Sequence, residues 1–190
     1  MTPIAVTALT GFFLYGGFGA FATTTAPAPQ TESTSTPTYE TLQVTMTAYN
    51  AVPGQTDDTP EYTSIGAWTN PDIIAARSPD LADDLPYGTV IAVMPATTTP
   101  NCGYKYVSEK IGLRVIGDAM NARMRNKIDI LMDTEPVRAQ EGKLRNPAKA
   151  LGFCRGVQIA IVGKVDVKHI PKTQTELAAL VGLEPLALAK

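Results

Sequence analysis

The chain of 190 residues is 44% hydrophobic, carries 15 Gly and 15 Pro, and has a formal charge of −2 with a pI near 5.4. That apolar content suits one compact domain with modest extensions and excludes a chain that is disordered throughout. The weakly acidic balance lacks the basic footprint of a nucleic-acid binder, so no nucleic acid is expected as a partner.

Residues 1–22 read as a signal peptide or an N-terminal membrane anchor. Positions 4–22, IAVTALTGFFLYGGFGAFA, carry no charge and are long enough for either role. Ala20-Phe21-Ala22 has the small-x-small form that a signal peptidase accepts. Both alternatives predict export to the cell envelope or the extracellular space. Residues 23–38, TTTAPAPQTESTSTPT, contain no aliphatic side chain larger than Ala. They cannot bury enough apolar surface to offset chain entropy, and read as a linker.

The folded domain is expected over residues 39–170. Leu42 to Tyr49 alternates apolar and polar residues at period 2, which predicts a strand. Asn50 to Asn70, rich in Pro, Gly, Asp and Thr, reads as a long loop with Trp68 as its anchor. Ile73 to Ala76 is a short strand candidate, Ser78 to Asp84 a helical turn or loop, and Tyr87 to Met94 a strand opened by a Pro-Tyr-Gly turn. After a loop at 95–103, Tyr104 to Glu109, Gly112 to Ile116 and Ile128 to Met132 read as strands. A short helix is expected at Ala148 to Leu151, then a strand at Val157 to Val162 and another at Val165 to Ile170. Six or seven short strands with little helix predict a small, mainly β barrel. The C-terminal tail, 171–190, holds a short helix candidate at Thr173 to Leu180 with Leu177, Leu180 and Val181 on one face.

One stretch stands apart, Gly117 to Asp133. Asp118, Asp129 and Asp133 follow one another at offsets of 11 and 15 residues from the first, framed by the apolar runs Leu113 to Ile116 and Ile128 to Met132. Ionised Asp is rarely buried without a partner, so carboxylates at a strand end and inside the next strand call for a reason. They either hydrogen-bond turn backbone or build a site. The bases are unevenly spread: up to position 84 there are nine acids and one base, Arg77, and beyond it nine acids and fifteen bases. Arg123, Arg125 and Lys127 fall inside the central stretch, where they either hold a substrate group or pair with the aspartates. Two cysteines, Cys102 and Cys154, and one histidine, His169, offer no zinc-ligand spacing, and no metal or other cofactor is expected. His169 lies far from any nucleophile-like turn, which argues against a Ser-His-Asp triad. In an exported protein the cysteines are candidates for a disulfide, and two buried free thiols are the alternative.

The ordered motifs resemble the three-aspartate (3D) domain, a six-stranded double-psi β-barrel of bacterial cell-wall enzymes such as MltA-type lytic transglycosylases and resuscitation-factor-like proteins. That family's motif reads D-T-G-G-x-I-x-G-x-R-I-D-x-x-x-D, and Asp118, Asp129 and Asp133 fall on its three aspartates without a gap. Thr47-Ala48-Tyr49 is similar to its opening strand, Leu85 to Val90 to its I-P-L-G-T-x-V segment, and Ala150-Leu151-Gly152 to its A-x-x-G helix end. The similarity spans roughly residues 44 to 162. It departs where Thr-Gly-Gly is replaced by Ala119-Met120-Asn121, and where Arg123 and Arg125 hold Ile and Gly positions.

The resemblance implies a lytic transglycosylase that cleaves the bond between N-acetylmuramic acid and N-acetylglucosamine in peptidoglycan, closing a 1,6-anhydro ring. One carboxyl then serves as acid and afterwards as base, where ordinary glycoside hydrolysis needs two. By motif position Asp118 is the acid/base and Asp129 its positioning or tuning partner. Thr47 and Tyr49 are expected to support the site, Asn121 and Arg123 to bind substrate, and Asp133 to support the site or cap a helix. The partner implied is a peptidoglycan glycan strand, bound by a monomer. The alternative is a barrel that binds glycan, or builds the envelope, without catalysis.

Overall fold

The computed structural model describes residues 38–54, 56, 59–94 and 102–183. The stretches read as an export signal or anchor and as a linker, as far as residue 37, lie outside the described residues, as does most of the 95–103 loop. Among the described residues no helix is long and apolar enough to cross a membrane.

Six strands close into a barrel: β1 (Glu40–Tyr49), β2 (Ile74–Arg77), β3 (Thr89–Val93), β4 (Leu113–Ala119), β5 (Lys127–Leu131) and, last in the chain, β8 (Cys154–Lys164). Around the barrel the order is β1-β5-β2-β4-β3-β8. β1 pairs with β5 and β2 with β4 in parallel, whereas the other four pairings are antiparallel. Because β2 is inserted between β5 and β4, the two parallel crossovers interlock. This is the expected six-stranded double-psi β-barrel, mainly β with a few short helices.

Alternation along the strands divides the apolar residues between two cores. Val44 and Met46 of β1, Ala75 of β2, Ile91 of β3, Ile116 of β4 and Ile128 and Ile130 of β5 meet in the barrel interior. Ile74, Leu113, Val115 and Leu131 point the other way, into a second cluster closed by Leu177 and Ala178. Those two belong to α3 (Gln174–Leu180), which begins with a capping box between Thr173 and Glu176. Gln174 pairs with both backbone groups of Leu113, at 2.9 Å each. The C-terminal helix is therefore packed on the barrel, although Leu180, expected on its apolar face, is 65% exposed.

Three expectations are corrected. Tyr104 to Glu109 is not a strand: it forms α1 (Tyr104–Val107) and a 3-10 turn at Ser108–Lys110. Only Val107 of this segment is buried, so its alternation never reflected a two-faced strand. It is held instead to the start of β8 by the Cys102–Cys154 disulfide and to α2 (Pro147–Leu151) by Gly103 N–H donating to Leu151 O at 2.9 Å. A Cβ on Gly103 would collide with the Ala150 carbonyl, which explains glycine there. Val165 to Ile170 is a turn in which Asp166 accepts from Lys168 N–H and His169 N–H, and not a strand. Trp68 anchors nothing in the core, being 63% exposed. Between β5 and α2 the chain adds a two-strand ribbon, β6 (Val137–Arg138) with β7 (Leu144–Arg145), joined through a 3-10 turn at Gln140–Gly142.

The disulfide spans 52 residues of chain and ties α1 to the start of β8. Closing a loop of that length is worth about 2–4 kcal/mol. Reduction, or the Cys102→Ala/Cys154→Ala pair, should lower stability by that amount in urea titrations followed by far-UV circular dichroism; an unchanged midpoint would remove the disulfide from the stability of this fold.

Candidate functional site

Ladder pairing places four residues in one row: Thr47 opposite Asp129, Asp129 opposite Ala76, and Ala76 opposite Asp118. Thr47 and Asp129 point away from the interior because their neighbours Met46, Ile128 and Ile130 fill it. Asp118 would not join them in a regular ladder. It lies two residues after Ile116, an interior residue, and strict alternation would turn it inward. The register shifts between Ala75 and Ala76, however, so that Ala75 pairs with Ile116 but Ala76 with Asp118. Gly117 is the extra residue of this bulge, and it brings the second carboxylate round to the outer face. A Cβ at Gly117 would stand 2.8 Å from Ile74 Cδ1, so the small residue keeps the bulge close to β2.

The two carboxyls line one open cleft of about 330 Å³, together with Tyr49, Ala76, Met120 and Asn121. Their surroundings differ. Asp118 accepts three hydrogen bonds, from Tyr49 Oη at 2.8 Å, Ser64 N–H at 2.9 Å and Ala119 N–H at 2.8 Å. Asp129 accepts one close side-chain bond, from Thr47 Oγ1 at 2.7 Å. Burial pushes the Asp129 carboxyl up to about 6, opposed by the Thr47 bond and assisted by the negative charge of Asp118. Burial, and then Asp118, also raise the Tyr49 phenol far above its usual range, which keeps it a neutral donor.

No nearby base among the described residues forms an ion pair with either carboxyl, although the charge of Lys127 partly offsets the rise at Asp129. Arg123 Nε turns back to its own turn residue, Asn121 Oδ1, at 3.3 Å. Arg125 caps the carbonyls of Ala122 and Met124. Lys127 lies over the Phe153 ring, 5.5 Å from its centroid. Arg77 points to the Leu85 carbonyl and the Tyr87 ring. Neither Asp118 nor Asp129 has an ion-pair partner among the described residues. The expectation that these bases pair with the aspartates of the cleft is therefore corrected.

Of the residues singled out in the sequence, Asp118, Asp129, Thr47 and Tyr49 are brought together, and Asn121 lines the same cleft. Arg123 is exposed on the following turn and does not line it. Asp133 also stands apart: it pairs with Lys110 Nζ at 2.7 Å and accepts from Glu135 N–H. No helix follows it, so this is a turn contact and not the expected helix cap. His169 sits in a surface turn beside Asp166. Sequence reasoning missed Tyr62, Ser64 and Thr69, which line the cleft from the long loop. The available signal was Gly66 set between Tyr62 and Trp68, the pattern of a small hairpin.

The fold and the site define a double-psi barrel with an outward-facing cleft that holds two unpaired carboxyls. No protein-family model matches the chain, and no curated protein matches its sequence.

Asp129 has a cost in the folded state. Its carboxyl holds a proton up to about 6 against an ordinary 3.8, so ionisation opposes folding. Below 3.8 there is no penalty; it grows between 3.8 and about 6 and is complete above that, at about 3 kcal/mol. Asp129→Asn, which keeps an acceptor for Thr47, should raise stability by about 1–3 kcal/mol near neutral pH. Urea midpoints should converge for the two proteins below about pH 4.

Proposed function

We propose that the protein is a lytic transglycosylase of the bacterial cell wall, cleaving peptidoglycan glycan strands with 1,6-anhydro ring formation. The observation that carries this reading is the pair of outward carboxyls in one cleft, one of which holds its proton to about 6. Asp129 is then the acid/base, and the roles read from the motif are exchanged. A protonated Asp129 gives its proton to the leaving glycosidic oxygen as the C1–O bond breaks. The resulting carboxylate takes the proton of the muramic 6-hydroxyl as that oxygen closes on C1. No water is consumed and the carboxyl is regenerated. Asp118, held by three donors, is the fixed negative charge that stabilises the positive charge developing on the sugar.

Thr47 aims the Asp129 carboxyl, and Tyr49 aims Asp118. Action on the wall requires export, which the uncharged leader supports; the Cys102–Cys154 disulfide suits an oxidising compartment as well. One observation favours the second reading, a glycan-binding barrel without catalysis. Met120 and Asn121 line the cleft where the resembled motif has two glycines, and their side chains narrow the approach to the backbone.

The full chain should release 1,6-anhydromuropeptides from purified sacculi, detected by mass spectrometry. Asp129→Asn should reduce that rate by at least about 100-fold. Release by the variant at the wild-type rate would exclude Asp129 as the acid. Sedimentation of the intact protein with sacculi in the absence of any anhydro product would favour the binding reading. Because the protonated carboxyl starts the reaction, the rate should fall roughly tenfold per pH unit above about 6.

A further inference from the structure

The long loop before β2 is organised as a hairpin across residues 61–69. Tyr62 and Trp68 form an antiparallel bridge, Thr69 N–H donates to Glu61 O at 3.0 Å, and Thr63 N–H donates to Ala67 O at 2.8 Å. Thr63 Oγ1 accepts from Ala67 N–H at 3.2 Å, and Thr69 Oγ1 donates to Pro60 O at 2.9 Å. The hairpin is fixed to the site itself, since Ser64 N–H at its tip donates to Asp118 Oδ1.

Two large aromatic rings are left outside. Tyr62 is 54% and Trp68 63% exposed, and their centroids are 5.8 Å apart with the rings nearly perpendicular, at 89°. Tyr62 lines the cleft that contains Asp118 and Asp129, so the aromatic corner continues the cleft and is not an isolated surface patch. Contiguous exposed apolar surface beside a cleft marks a ligand-binding groove more often than scattered single residues do. The chemistry of that ligand can be read from the lining, which contains two acids, five hydroxyls, one amide and no base. An anionic ligand has no counter-charge there. A neutral ring with one apolar face and hydroxyl edges fits both the aromatic corner and the hydroxyl groups.

We propose that Tyr62 and Trp68 form a sugar-stacking subsite for a β-1,4-linked N-acetylated glycan strand, next to the reacting carboxyls. The proposal rests on the carbohydrate reading of the cleft and extends it. One ring supports the apolar face of a pyranose while the other borders its edge, so the strand is gripped beside the bond to be cut. Through Ser64, the hairpin that holds the sugar also holds Asp118. Occupancy of the subsite and orientation of the carboxylate are thus joined in one element.

Trp68 is the single tryptophan of the chain, so its emission reports on this corner alone. The full-length Asp129→Asn protein should be titrated with a soluble hexamer of β-1,4-linked N-acetylglucosamine. A saturable change in tryptophan emission is expected, with the same dissociation constant by calorimetry. Trp68→Leu should weaken calorimetric binding roughly 5–20-fold, and Trp68→Tyr should restore most of it. Circular dichroism should be unchanged, because the side chain contributes little to the core. Binding without an emission change, or equal affinity in Trp68→Leu, would overturn the subsite, as would no binding of the hexamer. Anhydro-product release by the wild type alongside a silent Trp68 would remove the subsite and leave the transglycosylase. An emission response without any product would retain the subsite and remove the catalysis.

Discussion

The site depends on one extra residue in β4. Had β4 run regularly against β2, Asp118 would point toward the interior, where Ile116 already points, and Asp129 would face the cleft alone. The bulge at Gly117 turns a single strand end by one residue. Everything else in the cleft follows from it: the row Thr47–Asp129–Ala76–Asp118, the reach of Tyr49 from β1, and the contact of the 61–69 hairpin with the second carboxylate. Ala76 matters in the same row. Its methyl group, between two acids separated by two strand spacings of about 4.8 Å each, leaves the space a larger residue would fill.

The bulge needs a firm frame, and Arg114 supplies part of it. Its guanidinium is fully buried and donates to the carbonyls of Ile111, Pro71, Leu131 and Lys110. These carbonyls belong to the approach to β2, the turn before β4 and the end of β5, which are the three segments that set the register of the row. Burial lowers the guanidinium to about 10, still far above neutrality, so the charge is retained and its donors must be satisfied. A cation committed to four backbone carbonyls is a structural tie. Like Arg77, Arg123 and Arg125, it finds its partners in carbonyls, rings or turn residues instead of the cleft. The acidic pair is thereby left without an ion-pair partner among the described residues, and burial raises the Asp129 carboxyl.

The strands that were legible in the sequence are those whose alternation has a physical counterpart on two faces. β1 is the clearest, with Val44 and Met46 inward and Thr47 and Tyr49 outward. The opposite face of Asp129 from Ile128 and Ile130 follows from the same rule. Tyr104 to Glu109 misled because its aromatic and aliphatic residues respond to a disulfide and a neighbouring helix, neither of which has a local signature. Asp118 was legible as a site residue only through motif spacing. Alternation alone would have directed it inward, since a bulge is a matter of pairing between distant strands and leaves no period in the sequence. Which carboxyl holds the proton was illegible for a related reason. The motif ranks Asp118 first, but the donors that occupy it come from positions 49, 64 and 119, and two of the three are backbone N–H groups that any residue can supply.

The departures from the resembled motif lie at the end of β4 and on the turn that follows it. Ala119 ends β4, and its N–H still donates to Asp118, so loss of Thr there leaves the carboxylate held. Met120 continues the backbone contact to β2, donating from its N–H to Arg77 O at 2.9 Å. Asn121 to Met124 then turn back, closed by Met124 N–H to Asn121 O at 2.9 Å. The side chains of Met120 and Asn121 stand at one wall of the cleft, where the resembled motif has glycine. A ligand entering against that wall would meet an apolar thioether and an amide in place of bare backbone, with Tyr62 of the hairpin on the same cleft. The contact surface of the site is therefore shifted from main chain toward side chains. Such a site gains selectivity from the shapes it presents, and gives up the close backbone approach that glycine permits.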